Sequence, residues 1–155
     1  MIGGAIYLYL VGYLSDKYDR RTVIVIVAFL ASIFAVLAVL IGSSFIALII
    51  TTFIFGGLTV PLYALAIAHT NDFLEKDEMV AASSGLQLAG GIGLTIGPIV
   101  GGLSIDFIGA NGFWIYLFLI HALLGVFGLF RMQVREAVPL EEQGSCLLYT
   151  SPSPR

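Results

Sequence analysis

The sequence predicts an all-α membrane protein of about five transmembrane helices, and three observations carry that prediction. Of the 155 residues, 59% are hydrophobic and 11% charged, against about 45–50% and about 25% in a soluble domain. The apolar residues gather into runs close to the roughly 20 that a helix needs to cross a bilayer, too long for the strands of a sandwich. None of these runs alternates polar and apolar residues as an outer-membrane barrel strand would.

The first run, 1–14, starts at Met1 and is shorter than a full span, so the chain is expected to enter partway through a helix with its N-terminus truncated. No basic n-region precedes it, as a signal peptide would require. The second span covers about 22–41 and the third about 45–68. The third holds Pro61, which cannot donate to the carbonyl of Gly57; the unpaired carbonyl must find Thr59, a water or a neighbouring helix, because an unsatisfied group in hydrocarbon costs several kcal/mol. A bend towards the protein interior is expected there. The fourth span, about 79–105, carries small residues at every fourth position, Ala81, Gly85, Ala89, Gly93, Gly97 and Gly101, which share one helical face and let another backbone approach. Pro98 is expected to kink it or leave a gap at Leu94. The fifth, about 113–130, opens on Trp114 and Tyr116, an aromatic-belt pair, while Tyr7, Tyr9 and Tyr13 crowd the first.

The connections are then 15–21, 42–44, 69–78, 106–112 and the tail after Phe130. Six of the seven Lys and Arg residues are Lys17, Arg20, Arg21, Lys76, Arg131 and Arg135, all on the first loop, the third loop or the tail, which five spans place on one side. The positive-inside rule puts those three segments in the cytoplasm. The third loop also carries Asp72, Glu75, Asp77 and Glu78, but acids weigh little in that rule. Residues 1–138 form the transmembrane domain and 139–145 a cytoplasmic tail. Residues 146–155, CLLYTSPSPR, back-translate into the adapter of transposon-based sequencing libraries, and are read as an artefact of such a library; the bland alternative is a Ser/Pro-rich disordered tail.

The formal charge of −3 gives no support to a nucleic-acid partner. The single cysteine, Cys146, excludes an intrachain disulfide and contributes no metal-ligand cluster. The sequence holds no nucleotide-binding loop, no nucleophile arrangement and no HExxH, so neither enzyme chemistry nor a cofactor is expected.

Residues 12–21 read GYLSDKYDRR, the one charged island in the first 71 residues. Gly12 lets the first helix approach its neighbour. Asp16, with Lys17, Arg20 and Arg21, can form a charged cluster at the membrane surface. As a pattern, G-x-L-S-D-K-x-x-R-R resembles the signature loop of the major facilitator superfamily of secondary transporters, G-x-L-A-D-[RK]-x-G-[RK]-[RK], with Asp19 in place of the second glycine. The run of Gly93, Gly97, Pro98, Gly101 and Gly102 is similar to that family's G-x-x-x-G-P-x-x-G-G helix motif, best known in the fifth helix of antiporters. The resemblance implies a gate: the loop's Asp pairs with a basic residue and with the positive end of a helix in the opposite half, favouring closure to the cytoplasm. The bland alternative is a solvated loop whose charges only set topology.

The family fold has two six-helix halves, each with the charged loop after its second helix, so the chain is either helices 2–6 or helices 8–12. Asp19 and the likeness of the stretch from Pro61 to Arg131 to the C-terminal end of bacterial permeases favour 8–12, in which case the antiporter inference does not carry over. The resemblance then implies the C-terminal half of a bacterial inner-membrane permease, with the bilayer, a small-molecule substrate and a missing N-terminal six-helix half as its partners, moving solute by alternating access. A non-transporting sensor or scaffold of the same fold is the alternative.

In the 8–12 register the third and fourth spans line the central cavity, making Thr51, Thr52, Thr59, Tyr63, Gln87 and Thr95 candidate lining residues; for each the alternative is an ordinary hydrogen bond within or between helices. His121 is the one ionisable group deep within a span, and so a candidate for proton coupling. His69 and Asp106 lie at the membrane edges.

Overall fold

The computed structural model describes residues 2–41, 44–75, 78–135, 138–139 and 143, with the backbone alone for 2–5. Five α-helices follow in order: α1 (Ile2–Lys17), α2 (Arg20–Ile41), α3 (Phe45–Asn71), α4 (Met79–Ile108) and α5 (Asn111–Val134). No strand occurs among the described residues. Helices α2 to α5 are long and apolar enough to cross a membrane; α1, at 16 residues, is shorter. The expected tail, 139–145, lies almost wholly outside the described residues, and the sequence from Cys146 to Arg155, the supposed adapter, lies entirely outside them, as do Gly42, Ser43 and Lys76.

Each helix overruns the span read from hydropathy, because backbone hydrogen bonding continues after the apolar residues stop. The charged loop expected over 15–21 shrinks to Tyr18 and Asp19. Asp19 makes this possible. Its carbonyl accepts the N–H of Val23 at 3.1 Å and its side-chain Oδ1 accepts the N–H of Arg21, also at 3.1 Å, so it acts as the N-cap of α2. At the other end, the loop expected over 106–112 shrinks to Gly109 and Ala110. Gly109 has φ +89°, a backbone state that favours glycine, and its N–H closes on the carbonyl of Ile105 at 2.7 Å. A side chain at Gly112 would collide with the carbonyl oxygen of Ser104, so the α4–α5 hairpin requires both glycines.

Neither proline interrupts its helix: α3 runs unbroken through Pro61 and α4 through Pro98. Of the three partners expected for the Gly57 carbonyl, Thr59 is not the one used: its hydroxyl donates to the carbonyl of Gly56 at 3.2 Å.

Helix α2 is central, packed between α3 and α5, with α1 mainly against α3 and α4 mainly against α5. Lipid gives apolar helices little reason to associate, so close packing depends on small residues. The small face that meets this need runs along α2, where Ala28, Ala31, Ala35 and Ala38 are buried. Beside that face, Phe29 and Val25 of α2 take Gly125 and Gly128 of α5. A Cβ on Gly125 would stand 2.9 Å from the Phe29 ring, and one on Gly128 2.5 Å from Val25 Cγ2. On the other side of the bundle the Tyr7 ring of α1 lies over Gly57 of α3, 2.5 Å from where its Cβ would be. The core these contacts enclose includes Val11, Val23, Val27, Phe55, Leu58 and Leu65. Trp114 turns inward rather than joining a lipid-facing belt, with its ring edge-on to Phe55 at 5.7 Å.

The expected glycine stripe of α4 is used only at one end. Gly101 packs on the Phe113 ring and Gly97 approaches the Tyr116 hydroxyl, but a methyl group added at Gly85, Gly93 or Gly102 would meet nothing within 4 Å. Of all α4, Gly101 alone is buried.

Candidate functional site

The charged island folds into a junction that joins three helices. Asp16 lies in the last turn of α1 and Arg20 begins α2, four residues on across the two-residue connection. Arg20 Nη2 donates to Asp16 Oδ1 at 3.4 Å, and Nη1 donates to Asp72 Oδ2 at 2.6 Å. Asp72 follows the last residue of α3, where its own N–H donates to the Ala68 carbonyl at 3.1 Å. The Arg20 side chain is 1% exposed, that of Asp72 3% and that of Asp16 22%. One buried guanidinium thus holds two carboxylates, and the short bond to Asp72 is the charge-assisted kind that compensates desolvation. Gly12 is buried within α1 rather than at its end, and its carbonyl accepts the Ser15 hydroxyl at 2.8 Å. Lys17 is exposed in the last turn of α1, where a cation suits the helix dipole.

A second cluster lies beside it. Arg21 Nη2 pairs with Asp19 Oδ2 at 3.1 Å, and Arg21 Nη1 donates to the Arg135 carbonyl at the end of α5 at 2.7 Å. The Arg135 guanidinium stands 4.2 Å from the centre of the Phe73 ring, a cation–π contact, and Phe73 is edge-on to His69 at 5.2 Å. The α1–α2 turn, the end of α3 and the end of α5 therefore meet at one end of the bundle, where the basic residues also gather.

Sequence reasoning noted Asp72 only as one acid of the third loop and missed it as Arg20's partner. A signal existed: helix hairpins bring the start of α2 and the end of α3 to the same end of the bundle, and Asp72 is the first acid after α3. Asp16 is paired inside its own bundle, with Arg20.

The candidate lining residues divide. Tyr63 of α3 meets Gln87 of α4 across an open hollow of about 640 Å³, floored by Gly90 and Gly91. Along the same helix Gln87, Ser84 and Thr95 line an adjoining hollow of about 880 Å³. Sequence reasoning missed Ser84, four residues before Leu88 and three before Gln87 on this face. Thr51, Thr52 and Thr59 line neither hollow. Thr51 is buried in the core, and the hydroxyls of Thr51 and Thr52 donate to Ala47 and Leu48 carbonyls one turn back, at 2.9 and 2.7 Å. Thr95 does the same to Gly91 at 2.9 Å, which leaves its oxygen free to accept. Pro98, one turn further along α4, is exposed.

His121 is half-buried with its ring edge-on to Phe55 at 5.1 Å. Its Nδ1 lies 2.8 Å from the Leu117 carbonyl. A carbonyl only accepts, so Nδ1 carries the proton and Nε2 of the neutral ring is an acceptor. Neither hollow includes it. Asp106 is exposed near the end of α4. No group of His, Cys, Asp and Glu side chains among the described residues could hold a metal ion.

Neither the curated proteins nor the solved structures gave a match to this chain. A family model described as Major Facilitator Superfamily matches residues 1–145, which include all five helices and the charged junction, and the chain belongs to that family of membrane transporters.

Proposed function

We propose that this chain is helices 8–12, the C-terminal half, of a bacterial inner-membrane permease that moves a small solute by alternating access. The observation that carries the reading is the α3–α4 face: Tyr63, Ser84, Gln87 and Thr95 border open hollows on a helix with almost nothing buried. Polar groups of this kind are costly against lipid and belong beside protein or a water-filled path. A second bundle closing over this face encloses a polar cavity, and Gln87, with both donors and an acceptor, is its most versatile solute contact.

The charged junction supports the gate role. It fixes the mutual positions of α1, α2 and α3 at the end of the bundle where the basic residues lie, so that the half moves as one body. The positive-inside rule assigns that end to the cytoplasm. Catalysis has no place in this reading: the polar side chains along the spans are isolated amides, hydroxyls and one imidazole, and the chemistry is binding and release. His121, away from both hollows, is a weaker candidate for proton coupling than for holding α5 against Phe55.

The test is uptake of a panel of small solutes by vesicles bearing the full-length protein. Saturable uptake, reduced by Gln87→Leu, is expected. A full-length protein that moves none of them and keeps one fixed conformation would favour a sensor or scaffold. The 155-residue chain by itself is expected not to transport, and saturable uptake by it alone would overturn the two-bundle reading.

A further inference from the structure

A second recess, distinct from the α3–α4 hollows, opens between α2, α3 and α5 at the charged end of the bundle. Its inner part is about 380 Å³ and apolar at the base, where Val25, Leu124 and Phe127 contribute side chains beside Gly128. Its outer part, about 340 Å³, shares Arg21, His69, Thr70 and Arg131 with the inner one and adds Arg135. Leu124, Gly128 and Arg131 succeed one another at spacings of four and three along one face of α5, and Arg135 follows at its C-terminal end. At about 1.5 Å per residue the step from Leu124 to Arg131 is about 10 Å, a descent from a cationic rim to an apolar floor.

Among the described residues the recess is lined by three guanidiniums, of Arg21, Arg131 and Arg135, and by no carboxylate. Asp19, beside it, is bound to Arg21, and Asp72 is turned to Arg20. Arg21 is held in place by Asp19 and by the Arg135 carbonyl, and Arg135 by the Phe73 ring. The Arg131 side chain is exposed, with no hydrogen bond or ion pair to another described residue. A recess with an apolar floor and guanidiniums at its rim, two of them held in place, is complementary to a phosphate group on an acyl chain.

We propose that this recess binds the headgroup of an anionic phospholipid, with the phosphate between Arg131 and Arg135 and the start of one acyl chain against Leu124 and Phe127. The apolar floor selects lipid over a free anion, which would gain nothing from it. Bound there, the lipid ties the end of α5 to the α3 end and the α2 start, across the same end of the bundle as the Arg20 junction.

The test uses the 155-residue chain, and in parallel the full-length protein, in neutral detergent micelles, titrated with phosphatidylglycerol, with phosphatidylcholine and with inorganic phosphate while native mass spectrometry counts bound lipid. Phosphatidylglycerol is expected to bind preferentially, Arg131→Gln to weaken it about fivefold and Arg131→Lys to retain most of the affinity. Because the Arg131 side chain is exposed and makes no polar contact with a described partner, its removal leaves the fold intact, as an unchanged helical circular dichroism spectrum will verify. Equal binding of phosphatidylcholine, indifference to Arg131→Gln, or inorganic phosphate competing as tightly as the lipid would each overturn the proposal.

Discussion

Arg20 and Asp72, 52 residues apart, meet in a 2.6 Å ion pair with both side chains almost wholly buried. The pair joins the first residue of α2 to the residue that follows α3. Burying either charge alone costs more than the pair returns. Asp72→Ala is therefore expected to destabilise the bundle by about 3–5 kcal/mol, and Arg20→Met with Asp72→Leu together to recover most of that loss. Asp16→Asn, at a longer and more exposed contact, is expected to cost about 1 kcal/mol or less. Reversible unfolding in detergent, followed by circular dichroism, distinguishes the three.

Asp19 is a cap before it is a loop residue. Asp19→Ala removes both the acceptor for the Arg21 N–H and the Arg21 ion pair, at an expected cost of about 1 kcal/mol. Asp19→Gly, which restores the residue that the family's loop pattern has here, is expected to cost less, since glycine is itself an acceptable cap. The same unfolding measurement gives the order, and a larger loss for Gly than for Ala would refute the capping role.

Glycines that read alike in the sequence are expected to respond in opposite ways. Gly57→Ala and Gly128→Ala drive a methyl into the Tyr7 ring and into Val25, at about 1–3 kcal/mol. Gly85→Ala and Gly93→Ala enter open space and gain up to about 1 kcal/mol of helix propensity. Thermal denaturation of the four variants of this chain shows the split.

That contrast marks what could be read from the chain. Helix number and order, and the charge cluster around Asp16 and Arg20, were legible because hydropathy runs and local spacing are properties of neighbouring residues. Which small residues pack was not. The every-fourth-position stripe of α4 is the more regular pattern, yet the buried small residues are Ala28, Ala31 and Ala35 of α2, and the close α2–α5 contacts set Gly125 on Phe29 and Gly128 on Val25, because α2 is enclosed by two neighbours and α4 by little. Asp72 was obscured for the same reason: its partner is set by tertiary approach, and in sequence it stands among three other acids. Thr51 and Thr52 looked like cavity groups because a hydroxyl in an apolar run invites a ligand, but a carbonyl one turn back satisfies each of them.

Orientation has its own check. In a Cys146→Ser background, Tyr18→Cys in the α1–α2 turn and Ala110→Cys in the α4–α5 turn are both exposed positions. A membrane-impermeant maleimide applied to intact cells is expected to label position 110 and spare position 18, with the reverse in inverted vesicles. The opposite pattern would place the basic end outside.

The most direct measurement concerns Gln87. In the full-length protein, with its other cysteines replaced by serine, Gln87→Cys is exposed to an impermeant maleimide from each side of the membrane in turn. A residue on the solute path of an alternating-access transporter reacts from both sides, with the balance shifted when Arg20→Ala loosens the charged junction. Labelling from neither side, the behaviour of a lipid-facing position, would contradict the placement of the α3–α4 face on a transport pathway.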